Sequence, residues 1–136
     1  MSLQPYVFFN GTCEEALKYY AELLGGRIEA MVTYGEAPTE EPTPPGFERK
    51  IMHAYLKLGD QALQASDAPP DHFEPMKGFY LQLGVAEPGE AERVFGALAE
   101  GGEVQMALKE TFWAQSFGML VDRFGVPWMI NCNKPS

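Results

Sequence analysis

Residues 51–66 read IMHAYLKLGDQALQAS. Gly59-Asp60 interrupts two runs rich in strand-forming residues, and a Gly-Asp pair suits the two-residue turn of a hairpin. Pairing Leu58 with Gln61 sets Leu56 opposite Leu63 and Ala54 opposite Ala65 on one face. The other face then carries Tyr55 opposite Gln64 and His53 opposite Ser66. One face of the predicted hairpin is apolar and the other polar and aromatic.

Upstream, Pro5–Phe9 (PYVFF) predicts a short strand that breaks at the turn signal Asn10-Gly11. Thr12 stands at the N-cap position of a helix, with Glu14 and Glu15 in the first turn, where the helix dipole favours negative charge. Ala16, Leu17, Tyr20, Leu23 and Leu24 recur at helical spacing until Gly25-Gly26. Ile28–Tyr34 is a second strand. Residues 35–49 (GEAPTEEPTPPGFER) hold four prolines, two glycines and four glutamates, so an exposed loop is expected, either mobile or a lid.

Downstream of the hairpin, a Pro- and Asp-containing connector, Asp67–Pro75, leads to a strand over Lys77–Val85. Pro88 opens a second helix at the position that tolerates proline best, and Ala91, Val94, Phe95 and Leu98 form its buried stripe. Gly101-Gly102 ends it. Val104–Leu108, Phe117–Val121 and Val126–Cys132 are three more strands, the last two joined by Asp122-Arg123-Phe124-Gly125, a type I turn with Asp first and Gly fourth.

The order is β α β β β, twice over. Glu15-Ala16-x-Lys18-x-Tyr20-x-x-Leu23 matches Glu90-Ala91-x-Arg93-x-Phe95-x-x-Leu98, and Lys57-Leu58-Gly59-x-x-x-Leu63 matches Arg123-Phe124-Gly125-x-x-x-Met129. Two matches in the same order point to duplication. The chain of 136 residues is long enough for one domain built of two modules, about 4–67 and 76–133. A formal net charge of −9 argues against nucleic-acid or anionic-membrane partners. Cys13 and Cys132 form no CxxC pair. With no signal-like N-terminus and no apolar run near the length of a membrane span, the cytoplasm is the expected compartment.

Three motifs carry a family resemblance. They are Phe9-Asn10-Gly11-x-Cys13-Glu14-Glu15-Ala16-Leu17-x-Tyr19-Tyr20; His53-Ala54-x-Leu56-x-Leu58-Gly59-Asp60 running on to Ala65-Ser66-Asp67; and Thr111-Phe112-Trp113-Ala114-x-x-Phe117-Gly118 with Asp122-x-Phe124-Gly125-Val126-x-Trp128. The chain resembles the PhnB-like group of the glyoxalase / bleomycin-resistance / extradiol-dioxygenase (vicinal oxygen chelate) superfamily. The resemblance implies an α+β fold in which two βαβββ modules form a cupped mixed sheet around a small-molecule cleft, commonly as a homodimer. Some PhnB-like sequences carry the label of a 3-demethylubiquinone methyltransferase. No glycine-rich strand-to-helix turn of the Rossmann kind is present to hold S-adenosylmethionine, and Gly25-Gly26 and Gly101-Gly102 read as helix stops.

Catalytic members of the superfamily chelate a divalent metal with His, Gln and Glu from the first and fourth strands of each module. By that resemblance Leu63 and Met129 stand where the acidic ligand is expected, and Phe79 where a histidine often does. Such residues cannot ligate a hard cation, so neither a metal nor another cofactor is expected. The expected ligand-binding residues are Phe8, His53, Tyr55, Gln64, Phe79, Trp113, Phe117 and Trp128, an aromatic lining with a few polar groups. His53 doubles as the candidate catalytic residue because imidazole titrates near neutral pH. Asp67 and Asp122 read as turn and strand-exit residues, Cys13 and Cys132 as buried thiols, and His72 as a solvated side chain. Three functions remain open: a metal-free binder of a small aromatic or amphipathic molecule, a metal-independent enzyme using His53, and a structural or regulatory protein with a vestigial cleft.

Overall fold

The structure, a computed structural model, describes residues 1–38 and 40–135. Thr39, in the predicted loop, and Ser136 lie outside the described residues. The chain divides into two compact units, Met1–Glu74 and Pro75–Ser136.

The first unit runs β1 (Tyr6–Phe9), α1 (Cys13–Leu24), β2 (Arg27–Thr33), β3 (Ile51–Leu58) and β4 (Gln61–Asp67). Its sheet has the order β1-β4-β3-β2, with β1 parallel to β4 and the other pairs antiparallel. The hairpin register is the one read from the Gly59-Asp60 turn, from Leu58 with Gln61 to Ala54 with Ala65. That ladder stops there. His53 pairs with Val32 of β2, and Ser66 with Phe8 of β1, rather than with each other. Val7, Phe9, Ala54, Leu56, Leu63 and Ala65 are buried on the face covered by α1, whose Ala16, Leu17 and Tyr20 are buried too. Gly25 closes the helix in the left-handed region at φ 74°. Gly26 is fixed by space, since a Cβ there would lie 2.6 Å from Leu58 Cδ2 and 2.9 Å from the Lys57 carbonyl oxygen.

The second unit runs β5 (Leu81–Val85), α2 (Pro88–Ala99), β6 (Glu103–Lys109), β7 (Ala114–Val121) and β8 (Pro127–Asn133). Its sheet repeats the pattern as β5-β8-β7-β6, with β5 parallel to β8. Pro88 opens α2 in its first turn. A Cβ on Gly118 would meet Phe95 Cε2 at 2.6 Å, so this glycine lets α2 lie close on β7.

The structure corrects four expectations. Thr12 occupies the N-cap of α1, but its side chain makes no capping bond; the Asp67 carboxylate takes that place. The strand predicted over Lys77–Val85 begins only at Leu81, because Gly78 turns the backbone with φ +84°. Phe79 and Tyr80 therefore precede the strand instead of lying on it.

The third correction concerns the 35–49 loop, which does bury something. Phe47 is packed edge-on against Tyr34, with ring centroids 5.3 Å apart. The loop base is closed by Tyr34 N–H donating to the Lys50 carbonyl at 2.9 Å and Gly35 N–H to the Glu48 carbonyl at 3.0 Å.

The fourth is the alignment of Leu63 with Met129. The turn between β7 and β8 is longer than Gly59-Asp60, and the second-unit strand is displaced by one position. A one-residue slip moves a side chain to the other face. Leu63 faces α1, whereas Met129 pairs with Gln82 and Met119 on the face away from α2. The positional counterpart of Met129 is Gln64, and that of Leu63 is Trp128.

Candidate functional site

In each unit the sheet face turned from the helix carries aromatic and polar side chains. Strand alternation places Tyr6 and Phe8 of β1, His53 and Tyr55 of β3, and Gln64 of β4 on this face of the first unit, with Tyr6 beside Gln64. Tyr6 and Phe8 are 40% and 49% exposed, a large apolar surface for strand residues. The Tyr6 ring lies 5.2 Å from Phe8 and is stacked on His53 at 5.9 Å. Tyr6 Oη is 3.1 Å from His53 Nδ1.

A second set of contacts runs beside the first. Gln64 Nε2–H donates to Gln4 Oε1 at 2.9 Å, and Gln4 Nε2–H donates to Tyr55 Oη at 3.3 Å. Gln4 and Tyr6 are absent from the predicted set. The signal that finds them is the period-two run Gln4-x-Tyr6-x-Phe8, which puts all three on one face.

In the second unit, Phe117 and Asn131 pair across β7 and β8 on the face away from α2. Trp113 Nε1–H donates to Asn131 Oδ1 at 3.2 Å, and its ring meets Phe117 edge-on at 5.2 Å. Phe112, 89% exposed, packs on Trp113 at 4.9 Å. Trp113 and Phe117 are thus brought together. Trp128 is not with them. It pairs with Leu120 and Leu81 on the α2 side, is buried, and donates its indole N–H to Asp122 Oδ2 at 2.9 Å. It is a core residue. Phe79 stands outside the strands and exposed.

The two aspartates are structural anchors. Asp67 Oδ1 accepts the Cys13 N–H and Oδ2 the Ile51 N–H, both at 2.9 Å. Asp122 Oδ1 accepts the Phe124 and Val126 N–H groups, both at 2.9 Å, which builds the turn. Cys13 sits at a helix N-terminus, yet burial pushes its thiol far up, and the Asp67 and Glu14 carboxylates add to the rise. It is an inert thiol. Burial also raises the Tyr34 phenol, with Asp67 beside it, and the Tyr34 hydroxyl donates to the Asp67 carbonyl at 2.7 Å.

The superfamily's metal would need oxygen or imidazole ligands on first and fourth strands. The corresponding side chains, on the faces away from the helices, are Tyr6, Gln64, Gln82 and Met129. These offer no carboxylate and no imidazole, and no cluster of three His, Cys, Asp or Glu occurs among the described residues. Each unit by itself offers only neutral amide, phenol or thioether donors at these positions and lacks the carboxylate and imidazole of the superfamily's ligand set.

Two mixed sheets, each with one helix-covered apolar face and one face of aromatic and amide groups, define an α+β protein of paired βαβββ modules. The chain belongs to the family described as 3-demethylubiquinone-9 3-methyltransferase, whose model matches residues 1–131, and within it to the PhnB-like proteins of the glyoxalase / bleomycin-resistance fold. It is 38% identical to protein YjdN of Escherichia coli K12, over 98% of this chain and 97% of that one. Among solved structures, protein PA1353 of Pseudomonas aeruginosa is 50% identical, with a TM-score of 0.89 over 99% of both chains. The PhnB protein of Bacillus cereus is 25% identical, with a TM-score of 0.82 over 97% of this chain and 99% of that one. The fosfomycin resistance protein FosX of Listeria monocytogenes shares the fold alone, at 5% identity and a TM-score of 0.65 over 98% of this chain and 94% of that one. No helix among the described residues is long and apolar enough to cross a membrane.

Proposed function

We propose that the protein binds a small aromatic or amphipathic molecule on the polar-aromatic face of its first module, without the superfamily's divalent metal. The observation that carries this reading is the grouping of Tyr6, Phe8 and His53 beside the Gln64–Gln4–Tyr55 chain. Exposed rings supply stacking area, and the polar groups beside them supply orientation. A homodimer, as the resemblance implies, belongs to the same reading. Methyl transfer does not. Gly25-Gly26 and Gly101-Gly102 follow α1 and α2 rather than strands, and no glycine-rich strand-to-helix turn occurs among the described residues.

The test is thermal unfolding of metal-stripped protein against divalent metals and a library of small aromatic metabolites and antibiotics. A ligand that prefers the native state raises its stability. A rise with one organic class and none with Mn²⁺, Ni²⁺, Zn²⁺ or Fe²⁺ is expected. A rise with metals alone contradicts the proposal. The 3.1 Å approach of Tyr6 Oη to His53 Nδ1 favours one second reading, a metal-independent enzyme that moves a proton through His53. For that reading, turnover of the stabilising compound must appear and vanish in His53→Ala.

A further inference from the structure

We propose that Tyr6 holds His53 in the Nε2–H tautomer, and that this face therefore selects a planar aromatic ligand bearing two oxygen acceptors; the ligand half of the inference rests on the binding reading above.

The direction of each hydrogen follows from the partners. A neutral imidazole has one bare nitrogen, far more basic than a phenol oxygen, so in a phenol–imidazole pair the phenol donates. Tyr6 Oη meets Nδ1 at 3.1 Å. Nδ1 is then the acceptor, and the ring hydrogen sits on Nε2, since the bond made by one nitrogen sets the state of the other. The second chain runs from Gln64 through Gln4 to Tyr55. Gln4 Oε1 accepts from Gln64, and the Gln4 amide turns its NH₂ toward Tyr55. Tyr55 Oη accepts that bond, which leaves its own hydrogen to be donated.

His53 and Tyr55 are two residues apart on β3 and share a face, with Cα atoms about 6.5–7 Å apart. Two donors side by side on one strand face, flanked by the exposed Tyr6 and Phe8 rings, suit a planar aromatic ligand that carries two carbonyl-type oxygens. An aromatic hydrocarbon would cover the rings and leave both donors dry, which costs affinity.

Long-range ¹H–¹⁵N spectra of ¹⁵N-histidine-labelled His72→Ala protein, in which His53 is the only histidine, read the tautomer directly. At about pH 8, Nε2–H is expected, with a shift toward mixed tautomers in Tyr6→Phe. A dominant Nδ1–H form overturns the inference whatever binds. For the ligand half, amide shifts on β1, β3 and β4 are followed with 1,4-diacetylbenzene, 4-ethylacetophenone and 1,4-diethylbenzene, which share a shape and present two, one and no oxygens. Tyr55→Phe is expected to weaken 1,4-diacetylbenzene by about two- to tenfold and to leave 1,4-diethylbenzene unchanged. Equal weakening of both overturns the acceptor match. No shift on these strands with any of the three overturns the binding reading, and the acceptor match falls with it, while the imidazole spectrum still decides the tautomer.

Discussion

Asp67, the last residue of β4, accepts the backbone N–H of Cys13 through Oδ1 at 2.9 Å, and so caps a helix that begins 54 residues earlier in the chain. Its other oxygen accepts the N–H of Ile51, the first residue of β3. One buried carboxylate therefore ties α1, β3 and β4 at a single corner. Asp67→Ala strands two buried N–H groups, each costing about 1–3 kcal/mol, so a loss of about 2–6 kcal/mol is expected from chemical denaturation at neutral pH. Asp67→Asn keeps one good acceptor and loses less.

The Cys13 thiol and the Tyr34 phenol both have folded-state pKa values raised above their ordinary 9.0 and 10.0. A group of this kind favours the fold while protonated. Its contribution is complete below the ordinary pKa and is lost as pH rises through the folded value. Stability is therefore expected to hold up to about pH 9 and then to fall, with Cys13 alone contributing a slope of about 1.4 kcal/mol per pH unit. Denaturation midpoints at pH 7 and pH 10.5 check this. The fall becomes shallower in Cys13→Ala, and shallower again when Tyr34→Phe is added.

Trp128 and Trp113 separate by burial. Trp128 is 2% exposed and bonded to Asp122, whereas Trp113 is 44% exposed. Trp128→Ala is expected to destabilise by about 3–5 kcal/mol, and Trp113→Ala by a small fraction of that. Equal costs would contradict the placement of Trp128 in the core.

Phe47 anchors the 35–49 loop against Tyr34. Phe47→Ala is expected to cost about 2–3 kcal/mol and to speed cleavage within the loop in limited proteolysis, because the local opening free energy falls along with the lost contact.

The hairpin was legible because a two-residue turn fixes register outright: once Leu58 meets Gln61, every pair up to Ala54 with Ala65 follows, and with it the polar face of Tyr55 and Gln64. The repeat of βαβββ was legible from helix stripes and turn glycines. Comparing the halves by sequence offset failed at the fourth strand, where the longer turn after Val121 slips Met129 to the face opposite Leu63. Trp128 was misplaced because aromatic character says nothing about which side of a sheet a residue takes. Thr12 looked like a cap on local grounds, but the acceptor came from a strand far along the chain. Gln4 and Tyr6 were readable from alternation, and His53's partnership with Tyr6 was not, because β1 reaches β3 only through β4 between them.

The most direct measurement is a backbone amide ¹H–¹⁵N titration of EDTA-treated protein with the organic compound that stabilises it most. Shifts concentrated at Gln4, Tyr6, Phe8, His53, Tyr55 and Gln64 are expected, unchanged by added Zn²⁺ or Mg²⁺. Shifts confined to other strands, or binding that appears only when a divalent metal is restored, would contradict a metal-free site on the first module.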